Sequence, residues 1–416
     1  MHDHDIEHEA IDPRIVAAAD EGCEESRQFM SRRAFMGVSA GLCAWAFLPR
    51  SASAAGNVDS EKRLLIVLLQ GGMDGLHVAP PIGDPKYVSR RGALAQDPAK
   101  QKNLDGFFYL HPSMPNFYKA YTEGQATIIH SIAPPLRIRS HFECMYNLES
   151  GYPGVKIRSA KSGWMNRLLS HIPRGEDVMS KGLQMGESPL ILTGSEPVLS
   201  WTRWDFPRPA WYTDRLQLAY DKTDRDLSPL LRDGIRIRNL ALSSSDGQKT
   251  LDQAFHGAGN LMAAPNGPRI AALTVGGWDT HDSLVGTLSA RLAALDLALQ
   301  EFRSALGETA WANTVVACVS EMGRTAIHNG SKGSDHGVGT AALLMGGAVA
   351  GRKVIADWPG LEKLEDNRDL LATTCTRALF KGILLDHLKI DPKILEADIF
   401  PESAAVRPMR GLVRVS

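Results

Sequence analysis

The chain has 416 residues, 44% of them hydrophobic and 22% charged, with a formal charge of -1. That is long and apolar enough for one large core or two smaller ones, and it excludes a chain dominated by disorder. Residues 1–54 carry five Lys/Arg and nine Asp/Glu, leaving 41 basic against 38 acidic residues beyond them, a balance that argues against dedicated nucleic-acid binding.

The first readable element is a targeting pattern. "SRRAFM" at 31–36 leads into an apolar stretch from Ala34 to Leu48, then Arg50 and "SASAA", in which Ala52-Ser53-Ala54 forms an A-x-A cleavage site. This resembles a twin-arginine export signal, and the apolar stretch is too short for a comfortable permanent span. Residues 1–54 are therefore read as a signal peptide and 55–416 as a single periplasmic or secreted domain. The twin-arginine translocase is then a partner during export, and no permanent membrane span is expected. An uncleaved N-terminal anchor is the alternative. Cleavage removes Cys23 and Cys43 and leaves Cys144, Cys318 and Cys375, too few and too widely spaced for a disulfide framework.

Next, "RLLIVLL" (63–69) is a continuous apolar run ending in Gly71-Gly72, the pattern of a strand buried on both faces. "ATIIHSI" (126–132) repeats it. Residues 150–265, including "SWTRWDFPRPAWY", give mixed helical signals without strand rhythm and read as an insertion or cap. "RIAALTV" (269–275) and "TVVACV" (314–319) are further strands, with Cys318 as a small buried hydrophobe. Between them Leu288, Leu292, Leu295, Leu299, Phe302 and Leu306 form one stripe of an amphipathic helix. Such a strand, helix, strand unit crosses over a parallel sheet, so the fold class is α/β: a largely parallel central sheet flanked by helices, with a mixed helical insertion. "AALLMGGAVAGRKVIA" (341–356) reads as two strands around a Gly-rich turn, and 368–388 as a late helix covering the sheet.

Sites in open parallel sheets form outside the carboxyl ends of the strands. There the sequence offers Asp74, His77, Ser140, His141, Asp279, His281, Glu321 and Arg324, with "NGSKGSDHG" returning Asp335 and His336 soon after. Carboxylates and imidazoles without Cys suit a divalent cation such as zinc, manganese or magnesium. Each residue has a plainer reading. Asp279 fits turn chemistry, Asp74 could cap the next helix, and His281 and His336 could be ordinary hydrogen-bonded histidines. Arg324 could pair with a surface carboxylate, and "SHFE" is also a capping box in which Ser140 and Glu143 satisfy a helix's first amides.

With "LLQGGMDGLHVAPP", "RSHFECMYNLESG", "GGWDTH", "SEMGRT" and "NGSKGSDHG" assembled, the chain resembles domain-of-unknown-function family 1501, a secreted twin-arginine family within the alkaline phosphatase and sulfatase superfamily, over about residues 60–362. The resemblance implies an alkaline phosphatase/sulfatase-like fold and a metal-dependent hydrolase acting on a small anionic phosphate or sulfate ester. It implies Asp74, Asp279, His281, Glu321 and His336, with Asp335, as metal residues. Ser140 would be the nucleophile, beside His141, with Arg324 steadying the anion. Two positions depart from the pattern: Met322 stands where phosphatases have a histidine, and Val338 where relatives carry a second one. The rival expectation is a non-catalytic binding or assembly protein that keeps the fold.

Overall fold

The computed structural model describes residues 61–154, 160–173, 180–186, 190–201, 210–224, 226–241 and 250–414; the expected export signal lies outside them. The chain builds one nine-stranded sheet. In chain order its strands are β1 (Arg63–Gln70), β2 (Ala126–Ala133), β3 (Gly182–Met185), β4 (Val198–Trp201), β5 (Ile270–Gly276), β6 (Thr314–Val319), β7 (Thr340–Met345), β8 (Lys353–Ile355) and β9 (Thr374–Cys375). They lie in the order β8-β2-β7-β6-β1-β5-β3-β4, with β9 also paired to β2. Every pairing is parallel except the two that β7 makes with β2 and β6.

The continuous apolar runs follow from burial on both faces. Successive side chains of a strand point to opposite sides. In β1, Leu65, Val67 and Leu69 pack with the stripe of α4 (Leu284–Leu306), whereas Leu64, Ile66 and Leu68 pack on the other face with Leu379, Phe380, Ile383 and Leu384 of α5 (Thr376–Asp386). The expected stripe is buried in full, from Leu288 through Leu306. Each such side chain contributes about 1.5–3 kcal/mol of transfer free energy as an upper estimate. Three further helices matter below: α1 (Gly75–Val78), α2 (Tyr87–Arg91) and α3 (His141–Ser150). The last ends on Gly151, whose φ of +74° is the left-handed closing conformation.

Two details differ from the sequence reading. The strands read within 341–356 do not pair with each other: β7 and β8 lie on opposite sides of β2, because Gly346 to Arg352 carries the chain across β2's end. Part of the expected insertion, β3 and β4, extends the sheet at its edge, where four-residue strands leave little alternation for a sequence to display.

Topology also explains where the polar clusters fall. β1, β2, β5 and β6 all end on one side of the sheet. The reversed β7 begins on that side, so the two-residue ribbon before it, His336–Gly337 paired with Gly323–Arg324, stands over the same strand ends.

Candidate metal centre

Gly71 ends β1 with φ +126°, and a Cβ there would lie 2.5 Å from the Asp279 backbone nitrogen, so only glycine lets the ends of β1 and β5 approach this closely. The same approach turns the Gly71 N–H onto Glu321 Oε1 at 2.8 Å. Glu321 is wholly buried at the end of β6 and also accepts the Ser320 hydroxyl. Its Oε1 lies 2.7 Å from His141 Nδ1.

Three imidazoles then meet by their Nε2 atoms. His336 Nε2 lies 2.8 Å from His141 Nε2 and 3.0 Å from His281 Nε2. Asp279 joins them, with Oδ1 3.0 Å from His281 Nε2 and 3.3 Å from His336 Nε2, and Oδ2 3.5 Å from His141 Nε2. His141, Asp279 and His336 each offer a ligand atom within 4.8 Å of the others. Tetrahedral ligands at about 2.0–2.1 Å from zinc are about 3.3 Å apart, close to this spacing.

The opposite ring nitrogens each face an oxygen. His141 Nδ1 faces Glu321, His281 Nδ1 faces Asp335 Oδ1 at 3.2 Å, and His336 Nδ1 faces the Arg139 carbonyl at 3.2 Å. An oxygen at each Nδ1 favours the tautomer that carries its hydrogen there and leaves Nε2 free, with Asp279 Oδ1, 3.0 Å from His281 Nε2, a competing acceptor for that ring. Lone pairs at 2.8–3.0 Å repel unless a cation or proton lies between them. The donor set of His141, Asp279 and His336, two imidazoles and a carboxylate within mutual reach, fits a divalent metal of the zinc type, and His281 Nε2 stands 3.0 Å from two of its atoms.

Electrostatics agree with that use. Burial alone would push the Asp279 carboxyl up, but Arg324, His281 and His141 hold it below the usual carboxylate range. Burial and the neighbouring His141 lower His336, which favours its neutral, ligating form. Hydrogen bonding to Glu321 raises His141, making it the more basic ring.

Several expected roles change. Asp74 does not join the cluster: its Oδ2 is paired at 2.8 Å with Arg91 Nη2, both side chains fully enclosed, and its Oδ1 caps α1 through the His77 N–H at 3.0 Å. Glu321 is a partner of His141 in place of a direct ligand, and Asp335 plays the same part for His281. Arg324 is buried and points inward, with Nη1 2.5 Å from Asp279 Oδ1 and its other nitrogens on Ser334, so its guanidinium is committed to Asp279 and the Ser334 backbone and hydroxyl. His141, read as a neighbour of the nucleophile, supplies an Nε2 to the centre. Ser140 occupies the N-cap position of α3 but makes no side-chain cap hydrogen bond, so the capping box does not form through it. Met322 and Val338, the two departures, are buried apolar side chains.

Sequence reasoning missed Arg139 and Asp369. Arg139 places its carbonyl on His336 and its guanidinium on buried Asp369, with Nε to Oδ2 2.7 Å, while Arg368 Nη2 donates to the His336 carbonyl at 2.8 Å. Arg368 and Asp369 fell inside a segment read as helix from 368, whereas α5 starts only at Thr376, and Arg139 was read only as the first residue of "RSHFE". Asn329, which binds both the His281 carbonyl and Asp335, was visible only as one polar residue in a glycine-rich loop.

The sequence matches the family described as "Protein of unknown function (DUF1501)" over residues 129–382. No curated protein matches it. Among solved structures it is similar to a protein in the alkaline phosphatase superfamily from Vibrio parahaemolyticus, at 12% identity over 76% of this chain and 70% of that one, TM-score 0.38. It is similar to the C-terminal periplasmic domain of EcEptC from Escherichia coli, in complex with Zn, at 9% identity over 71% and 77%, TM-score 0.34. It is also similar to the PsFucS1 sulfatase from Pseudoalteromonas sp., at 12% identity over 70% of this chain and 64% of that one, TM-score 0.34. The chain thus spans less than two thirds of that sulfatase, and at such identities and scores the chemistry has to be argued from this chain's own residues.

Proposed function

The chain belongs to the DUF1501 family, and from that premise we propose that it is an exported, metal-dependent hydrolase of phosphate or sulfate esters. The observation that supports this best is the convergence of His141, His281 and His336 through Nε2 on Asp279, with every Nδ1 committed to an oxygen. His141, His281, His336 and Asp279 would hold the metal, which when bound supplies positive charge to the oxygens of an ester under attack.

The chain's own residues do the rest. Glu321, Asp335 and the Arg139 carbonyl fix the three rings, and Arg324 fixes Asp279. Ser140, beside His141 and free of a capping bond, attacks phosphorus or sulfur through Oγ. Its Oγ forms the new ester bond as the bond to the alcohol breaks, and the alcohol leaves with the hydroxyl's proton. Water then cleaves the serine ester, releasing phosphate or sulfate and restoring the hydroxyl.

Export rests on "SRRAFM" and "SASAA". Among the described residues no helix is long and apolar enough to cross a membrane.

One observation favours a second reading, a metal-binding protein without turnover: Arg91 takes Asp74, so a carboxylate expected at the metal is spent on an ion pair. The deciding experiment is metal analysis of protein purified without chelator, followed by a screen of the metal-loaded protein against phosphate and sulfate esters. Bound metal with ester turnover supports the hydrolase. Bound metal with no turnover supports the binding protein, and no bound metal removes both readings.

A further inference from the structure

The rings of the centre are not held alike. His141 and His281 each face a carboxylate through Nδ1, Glu321 at 2.7 Å and Asp335 at 3.2 Å, whereas His336 Nδ1 faces the Arg139 backbone carbonyl at 3.2 Å. A carbonyl directs a ring only as firmly as its own peptide is held.

Asp369 supplies that hold. Its side chain is wholly buried, on the segment before β9, and accepts two arginines: Arg139 Nε at 2.7 Å on Oδ2 and Arg368 Nε at 3.1 Å on Oδ1. Each arginine then reaches His336, Arg139 through the carbonyl at its ring and Arg368 through Nη2, 2.8 Å from its backbone carbonyl. The residues on either side of Asp369 are themselves fastened to both strands of the ribbon that carries His336. The Ala326 N–H donates to the Arg368 carbonyl at 2.8 Å and the Gly339 N–H to the Leu370 carbonyl at 3.0 Å, just beyond Gly323–Arg324 and His336–Gly337. A buried carboxylate needs such partners, and charge-assisted hydrogen bonds are the stronger kind.

We propose that Asp369 is a positioning residue of the metal centre: it anchors Arg139 and Arg368, and through them sets both the ring and the backbone of His336. This rests on the metal reading above. His336 then has a carboxylate behind it as the other two rings do, acting one residue further removed.

The test is Asp369→Asn, read by chelator competition for zinc and by nitrogen NMR of the histidines in the zinc-free protein at about pH 8, where neutral imidazole prevails. Zinc affinity should fall about 10–100-fold, the magnitude for losing a group that orients a ligating histidine, with circular dichroism unchanged. His336, assigned from its loss in His336→Gln, should carry less of its proton on Nδ1 than in the wild type, while His281 keeps its wild-type signal. Wild-type zinc affinity in Asp369→Asn overturns the proposal. So does weaker binding with the His336 signal unchanged, the outcome of a purely structural role. Should Asp369→Asn fail to fold, Arg139→Met takes its place, since it keeps the carbonyl and removes its tie to Asp369. The same two results are then expected, and the same two overturn the proposal. A wild type that binds no zinc removes the metal reading and this inference together, whereas zinc held equally by wild type and variant removes this inference alone.

Discussion

Glu321 reaches His141 across 180 positions of sequence, its Oε1 2.7 Å from the ring's Nδ1. The carboxylate is fixed before it meets the ring, because the Gly71 N–H and the Ser320 hydroxyl already hold it at the end of β6. A buried, anchored acceptor at Nδ1 turns Nε2 outward to His336, so the end of one strand sets the direction of a side chain on a distant helix.

Glu321→Gln should therefore weaken metal binding without unfolding the protein. Loss of an oxygen partner behind a ligating histidine typically costs about 10–100-fold in affinity. Competition with a chelator measures this, and circular dichroism checks the fold. Unchanged affinity would mean that His141 is not a ligand.

Asp74 should behave in the opposite way. Asp74→Asn leaves Arg91 charged in an enclosed site, which destabilises a protein by about 3–5 kcal/mol. Denaturant unfolding should show that loss while metal content stays at the wild-type level. Metal lost with stability retained would return Asp74 to the ligand set.

The parts of the fold legible in the sequence are those with strong periodicity. The apolar runs of β1, β2, β5 and β6 and the leucine stripe of α4 report burial directly. The candidate site was legible as a set of strand ends, because chain direction in a parallel sheet forces those loops together. Roles within the set were not legible. Asp74 and Glu321 carry the same chemistry as a ligand, and what removes them from the centre is Arg91 in one case and the Gly71 and Ser320 anchors in the other, contacts set by packing and not by spacing. The expected pairing of β7 with β8 failed for a similar reason: a glycine-rich link specifies a turn, not that another strand, β2, lies between the two it joins.

Glu149 gives the chain a pH dependence. Burial raises its carboxyl to about 7, against backbone hydrogen bonds from Leu190 and Ile191 that lower it, and with Glu321 adding to the rise. A group with a raised folded-state value contributes stability that is complete below its unfolded value, near 4.5, and lost as pH climbs through about 7. Glu149→Gln stays uncharged throughout. Relative to this variant the wild type should lose about 3 kcal/mol between pH 4.5 and 8. Parallel stability curves for the two proteins, measured by denaturant titration across that range, would show that Glu149 does not titrate as described.

Export is tested at Arg32 and Arg33. Replacing both by lysine should trap the precursor inside the cell, and mass spectrometry of exported wild-type protein should find Ala55 at its start. Normal secretion of the double variant would remove the twin-arginine reading.

Ser140 separates catalysis from capping most cleanly. A hydroxyl that caps a helix costs about 0.5–2 kcal/mol when removed. Ser140 stands at the N-cap of α3 without making that bond, so Ser140→Ala should fall below this range. Metal content should also hold, since the four side chains proposed to hold the metal and their partners are untouched. If Oγ is the nucleophile, the same substitution abolishes turnover of an identified ester and abolishes the phosphoryl or sulfuryl serine adduct that mass spectrometry would trap in the wild type. Ser140→Asn, with a side chain that caps well but cannot attack, should be equally inactive. Turnover retained in either variant would exclude Ser140 as nucleophile and leave direct attack by water as the chemistry of the centre, with His141, His281, His336 and Asp279 in the same places.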